Sequence, residues 1–166
     1  MSMLLDFLDE AFDRKSWHGP NLWGSIRGVH AQEAAWRVSP GRHNIWELVL
    51  HAAYWKYAAR RRLTGEKRGS FELPGSNFFE RPQGDPAEAA WKADRAILLK
   101  EHNELRLSIS GLSSASQTTQ STAHLIRGVA AHDLYHAGQI RLLRRFWAAK
   151  AAAPQKRSRT EPSVLR

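Results

Sequence analysis

Two histidines four residues apart, His132 and His136, carry the strongest chemical hint in the chain. On a helix such a pair shares one face, with β-carbons about 5–6 Å apart, so two imidazoles can grip one metal ion. They interrupt the apolar stripe Leu125, Val129, Ile140, Leu143 and Trp147 of the stretch 124–147, where an unpartnered polar group is costly. A third histidine, His51, falls on the stripe Leu48, Trp55 and Ala58 or Ala59 of another predicted helix, with Arg62 near its mouth. Three neutral imidazoles with a fourth position open are the ligand set of a catalytic rather than a closed structural metal site. The spacing alone leaves a plainer reading open, in which each histidine hydrogen-bonds within the core or at its rim.

The neighbours of these histidines have chemistry of their own. Gln139 follows His136 at i+3, close enough to support its ring or to meet a substrate. Glu47 stands one turn before His51 and could orient that ring, or it could simply face solvent. Asp133 gives HDLYH a likeness to the zincin HExxH pattern, whose carboxylate is the general base. Aspartate is one methylene shorter, so a hydrogen bond on the helix surface is the expected role. Tyr135 is expected to pack off the ligand face with its hydroxyl near the rim. His18, His30, His43, His102 and His124 are expected at the surface or at caps, with His18 in a turn that could approach the mouth.

These residues must be positioned by helices, because no stretch alternates as a strand would. Leu4, Leu5, Leu8 and Phe12 give residues 3–13 an amphipathic face, which the turn Trp17-His18-Gly19-Pro20 ends. Pro20 suits the first position of a helix, predicted over 20–31 with Leu22, Trp23, Ile26 and Val29 buried; Ala35 and Trp36 then tuck against the bundle. Asn44 caps a helix running from Ile45 to about Leu63. Residues 64–84 hold many Gly and Pro and no helical period. A loop this long is uncommon in a compact domain and is often functional, and Phe71, Phe78 and Phe79 are placed to anchor it as a lid or wall. Asp85-Pro86 has the form of a cap and first-turn proline for a helix over 86–109, with Trp91, Ile97 or Leu98, Leu105 and Ile109 inward. A polar linker, 110–121, precedes the histidine-bearing helix. One helical domain over 1–150 and a disordered basic tail over 151–166 are expected.

Composition narrows the functional classes. At 166 residues and 42% hydrophobic, with seven tryptophans, the chain can bury a real core. It contains no cysteine, so a metal site must use nitrogen and oxygen ligands. The net charge of +9 invites a nucleic-acid reading. Yet three of those charges lie in the tail, and Arg60–Arg62 and Arg141, Arg144 and Arg145 fall at helix ends that favour cations. No recognised nucleic-acid motif accompanies them, so nucleic acid is not the expected partner. The opening MSMLLDFLDEAFDRK is acidic and amphipathic rather than a leader, and no run approaches the roughly 18 apolar residues of a membrane span. A soluble cytoplasmic protein is expected.

The segments GRHNIWELVLHAAYWK at 41–56 and AAHDLYHAGQIRLL at 130–143 resemble the two signature regions of the DinB-like superfamily of damage-inducible proteins. WHGPNL at 17–22 and RLTGE at 62–66 are also similar to members, and the likeness covers most of residues 3–147. It implies an all-α four-helix bundle of up-down-down-up topology, with a long loop between the second and third main helices. It implies a divalent metal, zinc or nickel, on His51, His132 and His136; Gln139 and Glu47 stay, by their spacing alone, the candidate supporting or substrate contacts. Relatives that transfer low-molecular-weight thiols imply a metal-dependent transferase joining a small thiol to an electrophile in stress or detoxification. They also imply a homodimer. The alternatives are a non-catalytic metal-binding bundle or interaction module and, third, a metal-dependent hydrolase.

Overall fold

The computed structural model describes residues 3–113 and 119–152. Among these there are six helices and no strand. They are α1 (Met3–Phe12), α2 (Leu22–Ser25), α3 (Ala31–Ala35), α4 (Ile45–Thr64), α5 (Glu88–Ser110) and α6 (Gln120–Ala152). Ala151 and Ala152, expected in the tail, end α6 instead; the rest of that expected tail, 153–166, and part of the 110–121 linker lie outside the described residues.

Helix α4 is the centre. It packs against both α5 and α6, and α1 and α2 pack against α6. Most of its 20 residues are buried, on every side. Asn44 sets its start: the side-chain oxygen accepts from the Glu47 N–H at 2.8 Å, while the amide donates to Ala35 O and Arg81 O. This fully buried cap thereby ties α3 and the long loop to the first turn of α4. Gly65 sets its end, adopting φ +75° and donating to Arg61 O, a left-handed cap that side-chain-bearing residues resist.

One apolar cluster gathers Phe12, Leu22, Ile26, Leu50, Leu98 and Ile140 around Trp46 and Trp91, whose rings lie 5.2 Å apart. Each indole N–H finds a partner: Trp46 Nε1 donates to Asp94 and Trp91 Nε1 to Val29 O, both at 2.8 Å. A second cluster, including Leu5, Leu8, Leu105, Ile109 and Ile126, fills the other part of the interior.

Several sequence expectations need correction. The predicted helix over 20–31 shrinks to the four-residue α2, and a separate α3 starts only at Ala31, because Gly28 takes φ +71° and turns the chain between them. Asn21, not Pro20, opens α2, accepting from Gly24 N–H. Asp85 is not the cap of α5, which starts at Glu88 with no side-chain cap. Instead the Glu88 carboxylate accepts from the Ala31 N–H at 2.7 Å, at the start of α3. Trp17 stands fully exposed in its turn.

Two arginines assigned to helix-end electrostatics have other partners. Arg144 lies two turns inside α6 and pins the α2–α3 region through Glu33, Ser25 O and Arg27 O. Arg60 is buried among Glu66, Glu101 and Glu104.

Candidate metal centre

Helix α6 brings His132 and His136 one turn apart on its surface, and α4 brings His51 across to meet them. His51 Nε2 lies 3.1 Å and His136 Nε2 3.0 Å from His132 Nε2. One ligand nitrogen from each ring fits within a 4.8 Å span. The three can hold a metal ion.

The outer nitrogens decide what the inner ones can do. His51 Nδ1 lies 3.0 Å from the backbone oxygen of Asn77. A carbonyl only accepts, so that nitrogen carries the proton and Nε2 is a bare lone pair. His136 Nδ1 donates in the same way to Gln139 Oε1 at 2.6 Å, and Gln139 Nε2 donates to the Tyr135 hydroxyl at 3.1 Å. Two lone pairs therefore face His132 Nε2, which can offer at most one proton between them. His132 Nδ1 is buried with no partner. Three nitrogens converging with too few protons fit a divalent cation. Nitrogen–metal bonds of about 2.0–2.1 Å would set tetrahedral ligands roughly 3.3–3.4 Å apart, near the two spacings that His132 Nε2 makes. Imidazole donors suit zinc, nickel, copper or iron rather than magnesium or calcium.

Burial keeps these rings neutral, as ligation requires. It pushes His51 down to about 4 and His132 to about 3, with the neighbouring histidines adding to both shifts. His136 is lowered as well, chiefly by burial. His102 is pushed to about 2, again by burial first and then by Lys56 and Arg106. In an unfolded chain histidine titrates near 6.5. Between that pH and the depressed folded values only the unfolded state takes up protons, so stability falls as pH drops below about 6.5. Metal-free protein is thus expected to show urea midpoints that decline steadily from pH 7 to pH 5. A flat profile over that range would contradict the buried, neutral placement of these rings.

The long loop completes the site, and its contribution was only partly expected. Phe78 stacks on His51 at 4.0 Å and on His43 at 3.7 Å, both nearly parallel. It is a wall, as anticipated. Asn77 was missed. Its φ of +68° is the only positive value on a non-glycine residue among those described, and this turn aims its carbonyl at His51. Its side-chain oxygen accepts from Trp55 Nε1 at 3.0 Å, which braces the turn. The Gly-Ser-Asn sequence before Phe78 was the available signal, since asparagine tolerates the left-handed conformation.

Gln139 stands where it was placed, against His136. Ring orienters of this kind usually contribute about 10–100-fold to metal affinity. Gln139→Leu is expected to weaken zinc binding by that factor in competition with a chromogenic chelator, while leaving the site fillable at high zinc. Unchanged affinity would mean that Gln139 serves the pocket and not the ring.

Glu47 does not reach His51. It is buried, accepting from Arg37 Nη1 at 2.9 Å, His43 Nδ1 at 2.8 Å and Arg81 N–H at 3.3 Å. Burial would raise its carboxyl, but these donors outweigh it and hold the carboxyl below the usual range. Asp133 is corrected too. It is fully buried and ion-paired with Lys56, so it is neither on the helix surface nor placed as a zincin-like base. His102 is buried rather than exposed, stacked on Phe12 at 3.6 Å. His18, His30 and His124 are exposed, and His43 is half-exposed beside Phe78. Arg62 is exposed and lines a small cavity beside His132.

The three histidines open on a cavity of about 840 Å³, whose other lining is mainly apolar and includes Val38, Leu48, Leu142, Leu143 and Phe146. Tyr135 stands at its edge, 63% exposed. No described helix is long and apolar enough to cross a membrane.

Fold and site together define an all-helical protein with a three-histidine cluster able to hold a metal at the wall of a cavity. The family model of the DinB superfamily matches residues 16–140, well over half the chain, and the protein belongs to that superfamily. Comparison with curated proteins gives no match, and neither does comparison with solved structures.

Proposed function

We propose that the protein is a divalent-metal-dependent transferase joining a small thiol to an apolar electrophile, on a four-helix bundle of up-down-down-up topology. The observation that carries this reading is three imidazoles, protonated outward where their partners fix them, at the wall of a large and mostly apolar cavity. His51, His132 and His136 would hold zinc or nickel. Such an ion lowers the pKa of a thiol so that the nucleophilic thiolate persists near neutral pH.

The chain's own residues supply the rest. Asn77 and Gln139 hold two rings in orientation. Phe78, Leu48, Leu142 and Phe146 exclude water and bind the apolar body of the electrophile. The Tyr135 hydroxyl offers a polar contact at the rim. One S–C bond forms: the thiol proton goes to solvent, the sulfur lone pair attacks the electrophilic carbon, and the displaced group leaves with the electron pair of the broken bond.

The test compares zinc-loaded, nickel-loaded and metal-stripped protein with a panel of small thiols and a chloroaryl electrophile. Thioether is expected to form only with metal present, and His136→Ala with intact helicity is expected to be inactive. Equal rates with and without metal would sink the proposal.

A further inference from the structure

The histidine cluster borders two cavities, both lined mainly by apolar side chains. On the far side of Trp55 and His132, which line both, a second cavity of about 220 Å³ runs past Ala59, Leu125 and Val129 to Arg62 and His124. From Arg62 the surface continues as a trough to Arg61 and Arg68. From His124 it continues to Arg127. None of these linings includes a carboxylate. Among the described residues, Arg62, Arg68 and Arg127 make no ion pair.

The contrast with Arg60 sharpens this. One residue away, Arg60 is met by Glu66, Glu101 and Glu104, so the fold supplies three acids to one arginine and none to its neighbours. A helix-end role explains Arg61 and Arg62, in the last turn of α4. It does not explain the others. Arg68 is in the loop, and His124 and Arg127 lie in the first turns of α6, the end where the dipole disfavours cations. The sequence 110–121 leading into α6 carries no acid. Clustered positive charge with no internal counter-charge attracts anions from outside.

We propose that this basic trough is an anion site, taking the carboxylate- or phosphate-bearing end of the small molecule whose reactive group reaches the cluster through the 220 Å³ cavity. Only the identity of that reactive group, a thiol, rests on the transferase reading above. The anionic nucleophile enters past Arg62 and the apolar electrophile occupies the larger cavity. The two then meet from opposite sides of Trp55, which turns a bimolecular encounter into one fixed by the site.

The experiment uses full-length zinc-loaded protein and titration calorimetry with S-methylglutathione, which has two carboxylates and a blocked sulfur, and separately with inorganic pyrophosphate. At least one probe is expected to bind, more weakly as salt rises. Arg62→Ala and Arg68→Ala are each expected to weaken it about ten- to hundredfold, the usual loss for a charge-assisted contact. Lys92→Ala, an exposed charge on α5, is expected to leave it unchanged. Tighter pyrophosphate would assign a phosphate-bearing ligand, and tighter S-methylglutathione a carboxylate-bearing one. Failure of both probes to bind, or equal affinity in the two arginine variants and wild type, would overturn the site. A separate arm adds cysteamine, a thiol without a carboxylate, to cobalt-substituted protein and looks for a thiolate-to-cobalt absorption band. No band alongside intact anion binding would end the thiol reading and leave the anion site standing. A band without anion binding would do the reverse.

Discussion

His132→Ala is expected to abolish tight binding of zinc and nickel while leaving the helices in place. His132 is the ring that both others approach, with contacts of 3.1 and 3.0 Å between ring nitrogens. Its Nδ1 holds no structural bond, so truncation releases no partner in the core. Losing an orienting residue costs about 10–100-fold in metal affinity, and losing a ligand must exceed that, at about a hundredfold or more. The readouts are metal content after dialysis, helicity, and the thermal shift on adding zinc. Metal at a hundred times its Kd stabilises a folded protein by about 2.7 kcal/mol, so wild type should show a clear rise in Tm and the variant none. His102→Asn gives the control. That ring is more deeply buried and stacks on Phe12, so its loss should lower stability without touching metal content. Stoichiometric zinc in dialysed His132→Ala would end the three-histidine assignment.

The sequence made this cluster visible because helical spacing reports which residues share a face. His132 and His136 show themselves as a pair, His51 as an intruder in a core stripe, and Asn44 as a cap. Spacing reports the face only to within a residue or so. In α6 the best-buried positions are Ile126, Val129, Ala130, Asp133, Ala137 and Ile140 with His136, rotated from the predicted stripe through Leu125 and Leu143. That rotation leaves His132 half-buried and at a cavity wall instead of inside the core. Partners across the fold were not legible, because no local pattern says which charge meets which. Glu47 went to Arg37, His43 and Arg81, and His51 took its orienting contact from Asn77 in a loop with no period at all.

Lys56→Met is expected to produce the largest loss of stability, about 3–5 kcal/mol at neutral pH. Lys56 and Asp133 are both fully buried and ion-paired between α4 and α6, although 77 residues separate them. Lys56 Nζ also lies 3.5 Å from His102 Nδ1 and over the Phe12 ring. His102 in turn leads to Asp9, which Arg106 and Arg14 neutralise. Removing the lysine strands a carboxylate whose Oδ1 has no partner even in the wild type.

Burial pushes Asp133 up to about 6, with Lys56 pulling the other way. A carboxyl with its folded pKa above the unfolded value near 3.9 is favoured by folding only in its protonated form. Its contribution is therefore present at low pH and lost as pH rises through about 6. Without Lys56 the opposing pull is gone. The penalty in Lys56→Met should consequently be smaller at pH 5 than at pH 8, which urea midpoints at the two pH values would reveal. Lys56→Met combined with Asp133→Leu removes both charges at similar volume and should recover most of the loss, since apolar replacements of buried pairs are often neutral or stabilising. It should also retain zinc, because neither residue belongs to the cluster. Equal losses in the single and double variants would place the energy in the shape of the α4–α6 contact and not in the pairing of its charges.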